Sequence, residues 1–340
     1  MDKQQAVWIK RLAMFSVLLA FSVILLGAYT RLKDAGLGCP DWPGCYGQLG
    51  APQTPDAIEK ANANYPLMPV DVAKAQTEMT HRYFAESLGL VIVIMALAAF
   101  IFRKKHPLPL WLPSLLVGLV IFQGMLGMWT VTMRLLPLAV MGHLLGGFST
   151  LGLLWLCVLY LTQKQTPAMT PSIKARHLPL LALTTLVILF CQIMLGGWTS
   201  ANYAALICPD FPTCQGQWWP NTHFASAFNF LGGIDMENPL AYQDTPGRTT
   251  IHVMHRLGAV ITLFMGSWLV LAAMRHKALR KTALVLALFL GIQLVLGISN
   301  VILSLPLHIA VSHNAMGALL LLTLITLNFK IYQANKGQHA

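Results

Sequence analysis

The chain has 340 residues, of which 56% are apolar and only 10% are charged. This composition excludes an ordinary soluble domain and a disordered chain, and it indicates an all-α integral membrane protein. The formal net charge of +11 would suit a nucleic-acid partner, but the positions of the basic residues along the chain suggest a different explanation.

Eight apolar segments are predicted to be transmembrane helices, because about 20 helical residues cross a hydrocarbon core of about 30 Å. In chain order they lie near residues 11–30, 81–102, 111–131, 138–161, 178–200, 251–273, 282–303 and 308–330. With the N-terminus placed in the cytoplasm, 15 of the 23 basic residues fall in inner segments or at inner helix ends. The positive-inside rule then accounts for the charge. We therefore expect a bacterial inner-membrane protein with both termini cytoplasmic, surrounded by lipid and without a nucleic-acid partner.

The second half of the chain repeats the first. The cysteines at 39 and 45 recur 169 residues later, and a shift of 170 places Gln123 on Gln293 and His143 on His313. Because each repeat holds an even number of helices, both insert in the same orientation. The sequence thus predicts two pseudo-symmetric four-helix bundles, formed by residues 1–165 and 166–340.

Each half also has a short cysteine loop in a long outer segment, "CPDWPGC" in the first and "CPDFPTC" in the second. In an oxidising compartment we expect the disulfides Cys39–Cys45 and Cys208–Cys214. The loops are interpreted as structural staples or as redox parts that exchange electrons through dithiols. A four-cysteine zinc site is a third interpretation, although the spacing is wider than zinc ligand pairs usually show.

Four histidines recur in register near the outer helix ends: His81, His143, His255 and His313. A lone histidine in a membrane helix is often a buried hydrogen-bonding residue, yet ionisable groups there are costly and indicate function. Two imidazoles that face each other across a four-helix bundle can supply both axial ligands of a haem iron. The pattern therefore favours two haem sites, one held by His81 and His143 and the other by His255 and His313.

An arginine follows one histidine in each half, Arg82 in the first and Arg256 in the second. Each guanidinium is placed to pair with a haem propionate. The alternative is that both arginines extend to the lipid headgroups.

Glu78 distinguishes the halves, because "EMTHR" in the first half corresponds to "HVMHR" in the second, where His252 replaces the acid. Glu78 precedes His81 by three residues, which is about one helical turn on the same face. We take it as the catalytic candidate over Glu86, which lies deeper and on another face. The alternative for Glu78 is a capping carboxylate at a helix start.

Together these motifs resemble the haem A synthase family, whose members convert haem O to haem A for cytochrome oxidase. The strings that carry the resemblance span nearly the whole chain: "GLGCPDWPGCYG", "EMTHR", "MGHLLGG", "HRLGAV" and "SHNAMGA". The paired cysteines are similar to those of the branch of the family that keeps them.

The resemblance implies a division of labour between the halves. It assigns a haem O substrate to His81 and His143, and a haem B cofactor to His255 and His313. It makes Glu78 the counterpart of the family's essential carboxylate, and it implies haem O synthase and cytochrome oxidase assembly as partners.

Two other functions stay open from the residues alone. One is a bis-histidine membrane cytochrome that passes electrons, and the other is a haem transporter or chaperone. Neither gives a reason for an acid in one half only.

Overall fold

The computed structural model describes residues 2–104, 106–163, 177–230 and 244–336. Within these ranges the chain forms helices and no strand: α1 (Asp2–Leu32), α2 (Pro55–Asn64), α3 (Val72–Ile101), α4 (Trp111–Thr132), α5 (Pro137–Thr162), α6 (Leu178–Ala201), α7 (Phe224–Ala227), α8 (Thr245–Met274), α9 (Arg280–Ile302) and α10 (Leu307–Lys336). Eight of these, all except α2 and α7, are long and apolar enough to span a membrane. The predicted all-α integral membrane fold is confirmed.

Among the membrane helices, α1 begins at residue 2 instead of near 11, and α3 and α8 also begin earlier than predicted. Helix α3 starts at residue 72 instead of near 81, and α8 starts at 245 instead of near 251. Each start has an aspartate cap: the Asp71 side chain accepts a hydrogen bond from the Lys74 amide at 3.0 Å, and Asp244 plays the same part at α8. Such caps stabilise a polar first turn that hydropathy does not detect. As a result His81 and His255 lie roughly two and a half turns inside their helices rather than near the starts.

The four long helices of each half form a closed ring of neighbours. In the first half α1 contacts α3, α3 contacts α4, α4 contacts α5, and α5 returns to α1. The order α6, α8, α9, α10 repeats this arrangement in the second half. The halves meet where α10 contacts α1 and α5, and where α5 contacts α6. The division predicted between residues 165 and 166 lies outside the described residues and stays a prediction.

Helices α5 and α10 approach each other closely at Gly152. A Cβ atom added there would lie 2.9 Å from Cδ1 of Ile325. Small residues at membrane helix interfaces allow this approach, and the van der Waals contact holds the helices together. On α4, by contrast, Gly118 is exposed, and an added Cβ would meet no atom within 4 Å.

We expect Gly152→Leu to push α5 and α10 apart and to destabilise the protein by about 1–3 kcal/mol, the usual cost of overpacking. The measurement is the midpoint of thermal unfolding in detergent. Gly118→Leu is the matched control and should leave the midpoint unchanged. An equal loss in both variants would show that the substitution itself, and not the contact between the halves, lowers stability.

Candidate active site

Both cysteine loops are closed by disulfides, Cys39 with Cys45 and Cys208 with Cys214. We call residues 38–48 the first knot and residues 207–217 the second knot. Because each sulfur is bonded to its neighbour within the same loop, the cysteines do not form a four-thiolate zinc site. The staple and redox interpretations both remain compatible with this pairing.

An aspartate side chain organises each knot. In the first knot Asp41 accepts hydrogen bonds from the amides of Tyr46 and Gly47 at 2.6 and 2.7 Å. In the second knot Asp210 accepts the two equivalent amides at 2.6 and 3.0 Å. The Thr213 hydroxyl also donates to Asp210, and this bond, with the amides, lowers the pKa of that carboxyl to about 2. The Asp210 carboxylate that organises the second knot therefore stays ionised at physiological pH.

Each knot is tied to a helix by an arginine. On α3, Arg82 donates to the backbone carbonyls of Asp41, Pro43 and Gly44 at 3.0, 3.2 and 2.6 Å. On α8, Arg256 likewise donates to three backbone carbonyls of the second knot, those of Cys208, Asp210 and Thr213, at 2.7–3.1 Å. Charged donors form the stronger class of hydrogen bond. Both guanidinium groups thus anchor knots, and their predicted contacts to propionates stay predictions.

Glu78 is a buried carboxylate whose two oxygens are each held by a donor. Its exposed fraction is 4%, one oxygen accepts from the Cys39 amide at 2.9 Å, and the other forms an ion pair with Arg82. Glu78 is not a helix cap, because Asp71 caps α3. The rival Glu86 is exposed. The Glu78 carboxylate therefore lies at the contact between α3 and the first knot and binds to both.

The second half carries His252 at the matching place. This side chain is also buried, with an exposed fraction of 4%. Its Nδ1 lies 2.9 Å from the carbonyl oxygen of Ala204. A carbonyl only accepts, so the imidazole donates. The halves thus share one frame, with a carboxylate in the first half and a hydrogen-bond donor in the second.

The first histidine pair meets inside its ring of helices. His81 on α3 and His143 on α5 have ring centroids 6.3 Å apart and planes at 89°. Helices α3 and α5 lie diagonally across the ring, as do α8 and α10, which carry His255 and His313. Both pairs therefore occupy equivalent positions in their bundles.

Each of these imidazoles lies against a glycine on a neighbouring helix. A Cβ added at the glycine would come within 3.0–3.4 Å of the Cε1 atom of the ring. The pairs are Gly27 with His81, Gly127 with His143, Gly196 with His255, and Gly297 with His313. The glycines create the space that the rings occupy. The sequence interpretation did not assign them a role, although they repeat with the same shifts of 169 and 170 residues as the cysteines and histidines.

The residues present fit a haem at each pair. The Nδ1 atoms of His81, His143 and His313 are buried and have no hydrogen-bond partner among the described residues. Buried polar atoms without partners are rare and call for an explanation, such as a bound group. No cluster of three or more potential metal-ligating side chains occurs in the described part of the chain. Paired histidines suit a haem, because the macrocycle supplies the other iron ligands and only two axial positions remain.

The fold and site define a multi-pass membrane protein with two histidine pairs in a duplicated four-helix frame and a buried acid beside one pair. The chain belongs to the COX15-CtaA family of cytochrome oxidase assembly proteins, whose family model matches residues 10–325. The resemblance inferred from the motifs is confirmed.

Named relatives align along most of the chain. This chain is 46% identical to the haem A synthase of Shewanella oneidensis. The alignment of 331 residues covers 96% of this chain and 97% of that protein. The haem A synthase of Neorickettsia sennetsu is 26% identical over 323 residues, or 90% of this chain and 93% of the relative. That of Caulobacter vibrioides is 26% identical over 329 residues, or 89% and 90% respectively.

The arginine anchors lead to a paired prediction. Arg82→Gln should open the first knot and Arg256→Gln the second, since each hydrogen bond to a charged group contributes about 1.5–3 kcal/mol. Losing one such bond increases local opening about tenfold or more. The measurement is the rate at which a water-soluble phosphine reduces each disulfide, followed by thiol labelling and peptide mass analysis. Each variant serves as the control for the other, and equal acceleration of both knots would contradict the anchoring role.

Proposed function

We propose that this chain is a haem A synthase, an oxidoreductase that converts a ring methyl of haem O to the formyl group of haem A for cytochrome oxidase assembly. The observation that carries the proposal is the buried carboxylate of Glu78, one turn before His81 and absent from the second half. Family membership and the 46% identical relative support the same conclusion.

The two histidine pairs take different haems in this proposal. His81 and His143 hold the substrate haem O, while His255 and His313 hold a resident haem B. When bound, haem B supplies one-electron redox chemistry. The protein contributes the paired imidazoles and the glycine surfaces that set their positions. The second half carries no acid at the place of Glu78, which suits a site that relays electrons and does not transform its haem.

Glu78 places a negative charge beside the substrate site. The Cys39 amide and the Arg82 guanidinium hold both carboxylate oxygens, so the group is positioned before substrate arrives. A carboxylate has about four acceptor positions, and those left over can take a proton or offset positive charge that develops on the substrate. Either role requires the acid to stay near the reacting edge of haem O.

The first knot excludes water from this acid. Cys39, Tyr46, Ala75 and Met79 pack into one buried apolar cluster beside Glu78. Gly38 allows the close contact, because a Cβ there would lie 2.6 Å from the carbonyl oxygen of Lys74 on α3. Charge interactions strengthen where water is excluded. The knot thus serves as a cover over the carboxylate as well as a source of its amide donor.

The membrane setting follows from the same features. We infer a bacterial inner membrane with both termini cytoplasmic, from the distribution of basic residues. Both knots then lie on the oxidising side, where disulfides persist. Haem O synthase is the expected source of the substrate, which is too apolar to travel freely through water.

Glu78→Gln should leave both haems bound and lower conversion by at least about 10²-fold, the lower range for loss of a general acid or base. The assay extracts haem after co-expression with a haem O source and identifies the formyl product by chromatography. Glu86→Gln is the matched control and should retain activity, because Glu86 is exposed. Full conversion by the Glu78 variant would exclude the proposed role of this acid.

The assignment of the two sites has its own test. Protein expressed without haem O should lose haem B in His255→Ala and keep it in His81→Ala, as read from the haem absorption per polypeptide. Loss of haem B in the His81 variant alone would reverse the assignment. Unchanged haem O after co-expression with intact protein would instead favour an electron carrier or a haem chaperone.

A further inference from the structure

The glycines that face the histidines belong to a pattern with one exception. Three of them follow a glutamine by four residues, in "QGMLG" (123–127), "QIMLG" (192–196) and "QLVLG" (293–297). The fourth occurs in "VILLG" (23–27), where Val23 replaces the glutamine. Residues four apart lie on the same helix face. An amide therefore lies one turn from three of the imidazoles, and an apolar side chain lies one turn from the fourth, His81.

Gln192 shows the contact most clearly. Its Nε2 donates to the His255 backbone carbonyl at 2.9 Å and lies 3.1 Å from Nδ1 of the same residue. In the same half, Gln293 has its Nε2 at 3.2 Å from Nε2 of His313. Both amides thus contact the histidine that the pattern pairs them with.

The helices that carry the histidines make room for two of these glutamines. A Cβ on Gly258, three residues after His255, would lie 2.1 Å from Oε1 of Gln192. A Cβ on Gly146, three residues after His143, would lie 1.6 Å from Nε2 of Gln123. Three residues after His81 the chain has Phe84. This position on α3 thus has a bulky ring in place of the glycine, just as α1 has Val23 in place of the glutamine.

The amide groups also have oxygen atoms that can accept further hydrogen bonds. Oε1 of Gln192 and Oε1 of Gln293 are buried and lack a hydrogen-bond partner among the described residues. Such an oxygen is costly in an apolar bundle. A metal-bound histidine almost always donates its other ring N–H to an acceptor, and this fixes the ring and raises its basicity as a ligand. In this structure the amide nitrogen of Gln192 faces Nδ1 of His255 and the amide oxygen has no partner among the described residues. The amide therefore meets that need once it turns its oxygen toward the ring N–H.

We propose that Gln192 is a positioning residue that would secure His255 as a haem ligand. Val23 offers His81 a backbone contact but no side-chain amide, and so leaves His81 as the more loosely held ligand. Gln293, whose amide also contacts the ring of its histidine, acts in the same way on His313. The proposal rests on the proposed function, in which the first half releases product and takes up substrate in every turnover. A haem held through one weak ligand can leave the first half and be replaced, while the haem of the second half remains bound.

The test measures haem dissociation and not conversion. Purified protein carrying haem B and haem O is mixed with excess apomyoglobin, and the transferred haem is identified by chromatography over time. In the unmodified protein haem O should leave first. Gln192→Met keeps the length of the side chain and removes the acceptor, so haem B should leave about 10–100-fold faster, the usual effect of losing such a partner. The low-spin optical spectrum of the second half should weaken in parallel.

Three further variants make the result decisive. Gln192→Glu retains an acceptor oxygen and should restore slow loss of haem B. Val23→Gln should slow the loss of haem O, and it tests the idea in the other half even if the Gln192 variants do not accumulate. Gln163→Val removes an amide that bonds only Gln333, far from both pairs, and should change neither rate.

Unchanged loss of haem B and an unchanged spectrum in Gln192→Met would overturn the proposal. So would equal dissociation rates for the two haems in the unmodified protein. If the rates shift as expected while haem O is never converted, the positioning role stands and the proposed function fails. The two conclusions are therefore tested separately.

Discussion

An ionised carboxylate is buried at the end of a membrane bundle only if donors compensate for the loss of water, because the effective penalty is several kcal/mol per ion. Arg82 meets this requirement for Glu78, and the same guanidinium binds three carbonyls of the first knot. One side chain thus both holds the acid and attaches the loop to α3. Arg256 makes a similar attachment in the second half, where His252 takes the place of the acid, so anchoring of a knot does not require the carboxylate.

The duplicated frame separates what both halves need from what only one half needs. Both halves need rings of four helices, anchored knots, paired imidazoles and glycine surfaces behind the rings, and both have them. Two differences fall beside the same histidine, His81: an acid one turn along α3, and Val23 in place of a glutamine on α1. In our proposal one site transforms and releases its haem and the other retains it, and these two differences would separate the sites in chemistry and in how firmly each holds its haem. The concentration of both differences around His81 is the basis of our proposal that the substrate is converted in the first half.

Much of this architecture can be predicted from the sequence, because membrane helices and disulfide loops have strong local signals. The eight spans follow from hydropathy, and the paired cysteines follow from spacing and compartment. The start of α3 was placed too late, since its first turns are polar and Asp71 stabilises them through a cap that hydropathy does not register. The anchoring by Arg82 was missed for another reason. Its acceptors are backbone carbonyls about forty residues away in sequence, and any loop offers such groups.

The contact of Gln192 with His255 does not follow from the sequence repeat. Aligning the halves matched Gln123 with Gln293, but Gln192 aligns with Val23 and so appeared as an unrelated residue. The packing of each helix pair shows that a glycine lies against all four imidazoles, and that a glutamine four residues earlier accompanies three of these glycines. Glycines are also frequent in membrane helices, so composition alone did not separate the four behind the imidazoles from the others.

The contact between each imidazole and a bare stretch of neighbouring backbone has a consequence for engineering. Where a ring sits is set by the helix behind it as much as by the residue that bears it. Replacing one of the glycines that face the rings by alanine would place a methyl group 3.0–3.4 Å from the ring, so the ring would have to move by a few tenths of an ångström although the residue that bears it is unchanged.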